Sequence, residues 1–239
     1  MSFMQTEKPT SPITKYLKFN GQEGAFSYWD KDKKESITLK EINFIFLGNR
    51  AGVTGWDDRS GSNIYSNAVL NTRKEELRVS ASKGGLIATG YYQDIKAEVN
   101  AAGGKYTKFL YVLLDGELVR IDIKGAANFI EGETEATWAA CGVDTKTNVV
   151  SFSKCKEGKK GSIKYKMPIF ADGGTIDPKD AITAQQQADV LNQYFKELTK
   201  YESAFKNTEE EEVTHSDSPV EESDSPVGES TIKPADLPF

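Results

Sequence analysis

Six lysines lie within thirteen residues of the sequence, and the same stretch holds one acidic residue, Glu157. Two runs in which apolar and polar residues alternate, 149–156 and 162–170, flank a glycine-containing turn there, which predicts a β-hairpin. Because lysines alternate with Ile163 and Tyr165, we expect a cationic face beside an aromatic ring. Such a face can follow a phosphate backbone and release its counterions, whereas an edge hairpin kept soluble by lysines is the alternative. The lysines are Lys154, Lys156, Lys159, Lys160, Lys164 and Lys166.

A second group combines arginine with aromatic side chains. Residues 48–63 are rich in Gly, Asp and Ser, which predicts a loop. A tryptophan in such a loop is poorly placed for a core but well placed to stack on an unpaired base, since every base has a π-face. A ring that caps a nearby core edge is the alternative. The residues predicted to contact nucleic acid here are Arg50, Trp56, Arg59, Tyr65 and Arg73.

Catalytic and metal sites have no comparable pattern. The single histidine, His215, lies in a polar segment near the C-terminus, which excludes a Ser-His-Asp hydrolase. Cys141 and Cys155 have no second pair or histidine nearby, which argues against zinc and against a disulfide framework. No G-x-x-x-x-G-K-[ST] loop for phosphates occurs. We therefore expect a protein that is not an enzyme and that needs no metal or cofactor.

Charge is distributed unevenly along the 239 residues, whose net charge is -6. Residues 207–239 hold ten acidic residues and one lysine, whereas residues 1–206 hold 29 basic and 26 acidic residues. The acidic segment also holds four of the eight prolines and few large apolar residues. Burial could not offset its ordering entropy. The sequence therefore predicts a disordered acidic tail behind a mildly basic domain.

Strand patterns dominate the sequence before that tail. Asp115-Gly116 lies between two apolar alternating runs, which is the strongest short signal for a hairpin. In the second run we expect Val119, Ile121 and Ile123 to face a core and the opposite face to be wet. The other predicted strands are 13–19, 25–29, 37–47, 64–70 and 76–80; residues 86–97 fit a strand or a helix, and 129–141 a short helix.

The last predicted element of the domain is an amphipathic helix. Asp177-Pro178 provides an N-cap carboxylate and a proline at the first helical position. Ala184, Leu191 and Phe195 follow at helical spacing, so we expect the helix to dock on the sheet and to end near Lys206. The predicted organisation is a flexible arm over residues 1–12, a binding domain over 13–206 and an acidic tail over 207–239.

The last four residues carry a resemblance to a known family. Asp236, Leu237, Pro238 and Phe239 end the acidic segment, and this ending resembles the tails of bacterial single-stranded-DNA-binding proteins, which finish in acidic residues and Ile-Pro-Phe. Leu237 stands where the isoleucine would be, and of the residues directly before the tip only Asp236 is acidic. The strand-rich, lysine-bearing body with a C-terminal helix is similar to the phage-encoded members.

The resemblance implies a mainly β, OB-fold-like, partly open antiparallel barrel with added helices. It implies that the chain binds and protects single-stranded DNA during replication, recombination or repair, and recruits partner enzymes through residues 236–239. A cytoplasmic location is expected, in the host cell if the protein is phage-encoded, because no 18-residue apolar run or leader is visible. A phage structural protein and an RNA-binding or strand-annealing protein are the alternatives.

Overall fold

The protein is mainly β in the computed structural model, which describes residues 7–124, 138–139 and 141–214. The predicted helix over 129–141 lies almost wholly outside these residues. No helix in the described ranges has the length and hydropathy that a membrane crossing requires. The strands are β1 (Lys15–Asn20), β2 (Ala25–Asp30), β3 (Glu35–Leu39), β4 (Ile42–Asp57), β5 (Ser62–Ser66), β6 (Leu77–Ala81), β7 (Gly85–Gly90), β8 (Gly104–Leu114), β9 (Glu117–Lys124), β10 (Asn148–Lys160) and β11 (Ile163–Thr175), and the helices are α1 (Tyr92–Ala101) and α2 (Pro178–Thr214).

These strands form one mixed sheet in the order β3-β2-β1-β9-β8-β4-β5-β6-β7, with β10 also paired to β4, and β11 paired to β10. β1 and β9 are parallel and the other pairs are antiparallel. The sheet curls back on itself, since the amide of Lys166 in β11 donates to the carbonyl of Gly21 after β1 at 2.6 Å. The predicted mainly β, partly open architecture is confirmed, and the OB-type arrangement stays a prediction.

β4 connects the parts of this sheet. Its first residues pair with β10, its middle with β8 and its last residues with β5. The predicted loop over 48–63 is therefore wrong, because most of it is strand and the turn covers only 58–61. The predicted strand over 37–47 is also wrong as a single element, since it is divided between β3 and β4.

Glycine in β4 marks close packing rather than a turn. A Cβ atom on Gly52 would lie 2.7 Å from the ring of Phe109 in β8, and one on Gly55 would lie 2.4 Å from the carbonyl oxygen of Gly103. Both glycines lie within the strand, and Gly52 directly precedes Val53, which is fully buried. A glycine-rich composition that is typical of loops thus occurs in a strand, because neighbouring backbone and side-chain atoms pack closely against it.

Two hydrophobic clusters lie on the inner face of the sheet. The first fills the curled part and contains four packed phenylalanines; the rings of Phe26 and Phe152, for example, lie 4.9 Å apart. The second lies between β4–β7 and α1, where Ile95 and Val99 of the helix pack against residues such as Val79. Residues 86–97 therefore contribute both a strand, β7, and the beginning of a helix, α1.

The β8–β9 hairpin is confirmed, and Asp115 and Gly116 have φ angles of 52° and 79°, as a type I′ turn requires. The predicted wet face of β9 is wrong, however. Asp122 is only 4% exposed on that face, and Leu118 is also buried there. Asp122 is covered because the guanidinium of Arg120 lies over Phe109 and binds the carboxylate. Leu118 pairs with Leu113, which packs against Ala184 of α2.

α2 begins as predicted, with the carboxylate of Asp177 accepting the amide of Lys179 at 2.9 Å. The docking of its first part is confirmed, since Phe195 packs on Tyr111 of β8 with ring centroids 5.3 Å apart. The predicted end near Lys206 is wrong: the helix continues to Thr214, because glutamates at 209–212 are good helix formers. The described residues divide into one unit over Pro9–Lys196 and a second that includes the rest of α2.

Candidate nucleic-acid interface

Trp56 and Tyr65 lie side by side on the outer face of the sheet. Thr54 of β4 faces Tyr65 of β5 and Trp56 faces Asn63, so the two aromatic residues are diagonal neighbours about 7–8 Å apart. Each is 51% exposed. α1 covers only the opposite, inner face of these strands. Successive bases of an extended single strand can therefore each stack on one of the two rings.

A lysine that sequence reasoning missed completes this surface. Lys105 of β8 faces Thr54 in the register, which places it on the outer face next to the aromatic pair, and it is exposed. The hydroxyls of Thr54 and Thr107 are 2.8 Å apart beneath it. We call Trp56, Tyr65 and Lys105 the aromatic face. Only the pairing of β8 with β4, between residues about fifty positions apart, reveals Lys105, so no local signal could have found it.

The turn after β4 carries a cation that lies away from the aromatic face, since Arg59 lines a cleft with Glu98 and Ala102 near the end of α1. Arg59 lies with its Nε atom 3.4 Å from a carboxylate oxygen of Asp57, yet its side chain is 78% exposed. Asp57 is buried, and bonds from the Ser60 hydroxyl and the Arg59 amide keep the pKa of its carboxyl below the usual range. Asp57 therefore orders the turn, while the Arg59 guanidinium stays accessible to a phosphate.

Arg50 and Arg73 differ in their surroundings. Arg73 is exposed in the loop between β5 and β6. The Arg50 guanidinium instead lies 3.8 Å from the centroid of the Phe195 ring and donates to the carbonyl of Ala68 at 3.3 Å. Burial lowers the pKa of Arg50. These contacts favour a structural role for Arg50 in holding α2 against β4.

The hairpin of β10 and β11 divides its lysines between two faces, whereas the sequence predicts one cationic face. Cross-strand partners share a face, and alternate residues along each strand do so too. Tyr165 packs over Gly158, where a Cβ atom would lie 2.5 Å from the ring. Lys160 pairs through its backbone with Ile163 at the tip. By register, Lys159, Lys164 and Lys166 lie on one face, and Lys154 and Lys156 lie on the other.

Two lysines of the hairpin are held opposite one another. Lys159 and Lys164 are direct cross-strand partners, and both are exposed. Like charges in this position destabilise a strand pair, so an anion bound between them would relieve the repulsion. Beside them is a cleft of about 370 Å³, which Tyr165, Lys166 and one acidic residue, Glu157, also line. This side of the hairpin is therefore a second candidate contact for phosphate.

The hairpin lysines and the aromatic face do not lie in one groove, because they are at opposite ends of β4. β10 pairs with residues 42–44 at the start of β4, whereas Trp56 lies at its end. The structure thus presents two cationic surfaces at opposite ends of β4. The predicted partner-binding residues, 236–239, lie outside the described residues, so their role stays a prediction.

Comparison with known proteins adds no family to this description. No protein-family model, no curated protein and no solved structure matches the chain.

Proposed function

We propose that the protein binds single-stranded DNA, without acting as an enzyme, through the aromatic face of Trp56, Tyr65 and Lys105. The observation that supports this most is the pair of half-exposed rings on adjacent strands. Stacking on such rings needs bases that are not paired, because a duplex presents only its edges and its phosphates. The site should therefore prefer single strands and show little sequence preference.

Cations around the rings would supply most of the remaining affinity. Lys105 is exposed on the aromatic face, Arg59 is exposed in the turn after β4, and Lys159 and Lys164 are exposed on the hairpin. Contact with about four to six phosphates predicts a slope of log affinity against log salt of roughly -3 to -4 for a single strand. In the cell this binding would protect single-stranded DNA during replication, recombination or repair.

The acidic C-terminal segment would recruit partner enzymes. Residues 215–239 hold six acidic residues and one lysine, and end in Leu237, Pro238 and Phe239. An apolar pocket with a basic residue would accept the Phe239 ring and its terminal carboxylate. The similarity of this ending to the tails of bacterial single-stranded-DNA-binding proteins supports the proposal.

Titration of labelled oligo-dT, oligo-U and duplex DNA by fluorescence anisotropy at two salt concentrations tests the function. We expect oligo-dT to bind more tightly than the duplex and the affinity to fall with salt. Lys105→Ala and the double variant Lys159→Ala with Lys164→Ala should each reduce the salt slope. Tighter binding of oligo-U would assign the surface to RNA. A preference for duplex, or no binding, would overturn the proposal and favour a structural protein.

A further inference from the structure

A second pair of exposed aromatic residues lies on the same sheet. Trp29 is 63% exposed and Tyr16 is 42% exposed. Lys18 of β1 faces Ser27 of β2, and a step of two residues along each antiparallel strand leads to Tyr16 and Trp29. The two rings therefore share one face of the sheet, as neighbours across the β1–β2 pair.

Tyr16 is held in place by an ion pair. The guanidinium of Arg120 lies 4.7 Å from the centroid of the Tyr16 ring and 4.4 Å from that of Phe109. The same guanidinium binds both carboxylate oxygens of Asp122, at 2.7 and 3.1 Å. A ring fixed in this way loses little conformational entropy when a base stacks on its exposed side.

The register places this pair on the same outer face as Trp56. Asp122 of β9 faces Lys18 on one side and Phe109 of β8 on the other. Phe109 in turn faces Arg50 of β4, and Trp56 lies an even number of residues further along that strand. Side chains of alternate residues share a face, so the two aromatic pairs lie on the same outer face, part of which α2 covers beside Arg50.

Three lysines on neighbouring strands lie between the two pairs: Lys18 of β1, Lys124 of β9 and Lys105 of β8. Burial lowers the pKa of Lys124, and the nearby cations Lys18 and Arg120 lower it further, against the opposing effect of Asp122. Asp122 is already bound by Arg120. Positive charge is thus in excess at the middle of this surface, which suits a phosphate.

We infer that Tyr16 and Trp29 form a second stacking platform, an inference that rests on the proposed function. A bound single strand runs from this platform over the three lysines to the aromatic face. From Tyr16 to Trp56 the path crosses three strand spacings and about eight residues of strand length, or about 30 Å on an uncurled sheet. With successive bases about 7–8 Å apart, as on Trp56 and Tyr65, this path holds about five nucleotides, and the three spacings of a four-nucleotide strand do not reach across it.

Oligonucleotide length separates the two platforms. A dT20 strand can reach both platforms, whereas dT4 is too short to do so. We expect Trp29→Ala to weaken dT20 binding by about fivefold or more, and to change dT4 binding by less than about twofold because the aromatic face remains. Ile182→Ala, at a side chain that is 62% exposed on α2, is the matched control and should alter neither affinity.

Further variants show which proposal fails. Trp29→Phe should restore most of the dT20 affinity. In the Trp56→Phe protein dT20 should quench the tryptophan fluorescence, because Trp29 is exposed there and the remaining Trp138 is buried. Unchanged dT20 binding by Trp29→Ala, or equal losses for both lengths, would refute the second platform. If Trp56→Ala still weakened both oligonucleotides, the proposed function would stand. If the unmodified protein bound neither oligonucleotide, the proposed function itself would fail.

Discussion

Replacing Trp56 with alanine should weaken binding of oligo-dT by about 5- to 150-fold. Base stacking on one aromatic side chain contributes about 1–3 kcal/mol, and each 1.4 kcal/mol is a factor of ten in affinity. The exposed half of the Trp56 ring is available for that stacking. Tyr65 stays in place as its diagonal neighbour, so binding should be reduced rather than abolished.

The same substitution should also lower the free energy of unfolding. Trp56 is about half covered, and an aromatic side chain buries about 150–250 Å² when fully covered. Roughly 75–125 Å² is therefore exposed to water by its removal, which at about 25 cal/mol per Å² is at most about 2–3 kcal/mol. The losses of stability and of affinity are thus similar in size, so the assay must separate them.

Binding should be measured well below the melting temperature of the variant, after the active fraction has been determined by a stoichiometric titration. Trp56→Phe keeps a ring and should retain most of the affinity. Leu86→Ala provides a matched control, because Leu86 is 56% exposed on β7 and is not aromatic. Normal affinity per folded molecule of the Trp56→Ala protein would refute stacking at this position and leave the ring a structural cap.

Three other substitutions or truncations test separate parts of the structure. Arg50→Ala should lower the free energy of unfolding in urea by about 1–2 kcal/mol, since it removes the contact with Phe195, but should change oligo-dT binding less than Trp56→Ala does; the reverse order would show that Arg50 contacts DNA. Asp57→Asn should be less stable than the unmodified protein at neutral pH, and the deficit should shrink as the pH falls below about 3.8, because a carboxyl whose folded pKa is lowered stabilises the fold only while it is ionised; a deficit that is independent of pH would contradict this. Removal of residues 215–239 should raise oligo-dT affinity, most at low salt, because a tethered acidic segment competes with DNA for cations, whereas deletion of Phe239 alone should leave affinity unchanged and abolish capture of replication and repair enzymes from host lysate; equal capture by both forms would contradict the proposed role of the tip.

The sequence predicts those elements whose signals are local. The Asp115-Gly116 turn fixes the β8–β9 hairpin because few dipeptides accept two positive φ angles, and Asp177-Pro178 fixes the beginning of α2 because it satisfies the first amides. Both signals lie within four residues of the feature that they determine. Elements of this kind need no knowledge of the rest of the fold.

Features that depend on distant partners could not be predicted. Gly52 is typical of a loop by its local sequence, and only the packing of Phe109 against it explains a glycine in the strand. Lys105 is an ordinary lysine until the register of β8 places it beside Trp56. The local pattern predicts an exposed Trp56 in a loop, whereas the ring is exposed on a strand. The candidate site is thus assembled by strand pairing, which the local pattern does not encode.

The parallel pairing of β1 with β9 has a consequence for synthesis of the chain. Thr14, just before β1, donates to the carbonyl of Leu118, which is 104 residues further along. At about 5–20 residues per second, the ribosome needs on the order of 5–20 s to supply this partner after β1 has been made. β1 can pair with β2 as soon as both have been made, but its other edge stays unpaired until β9 has been made. The first hairpin to leave the ribosome therefore carries an open edge, where contact with a chaperone or with another nascent chain would be most frequent.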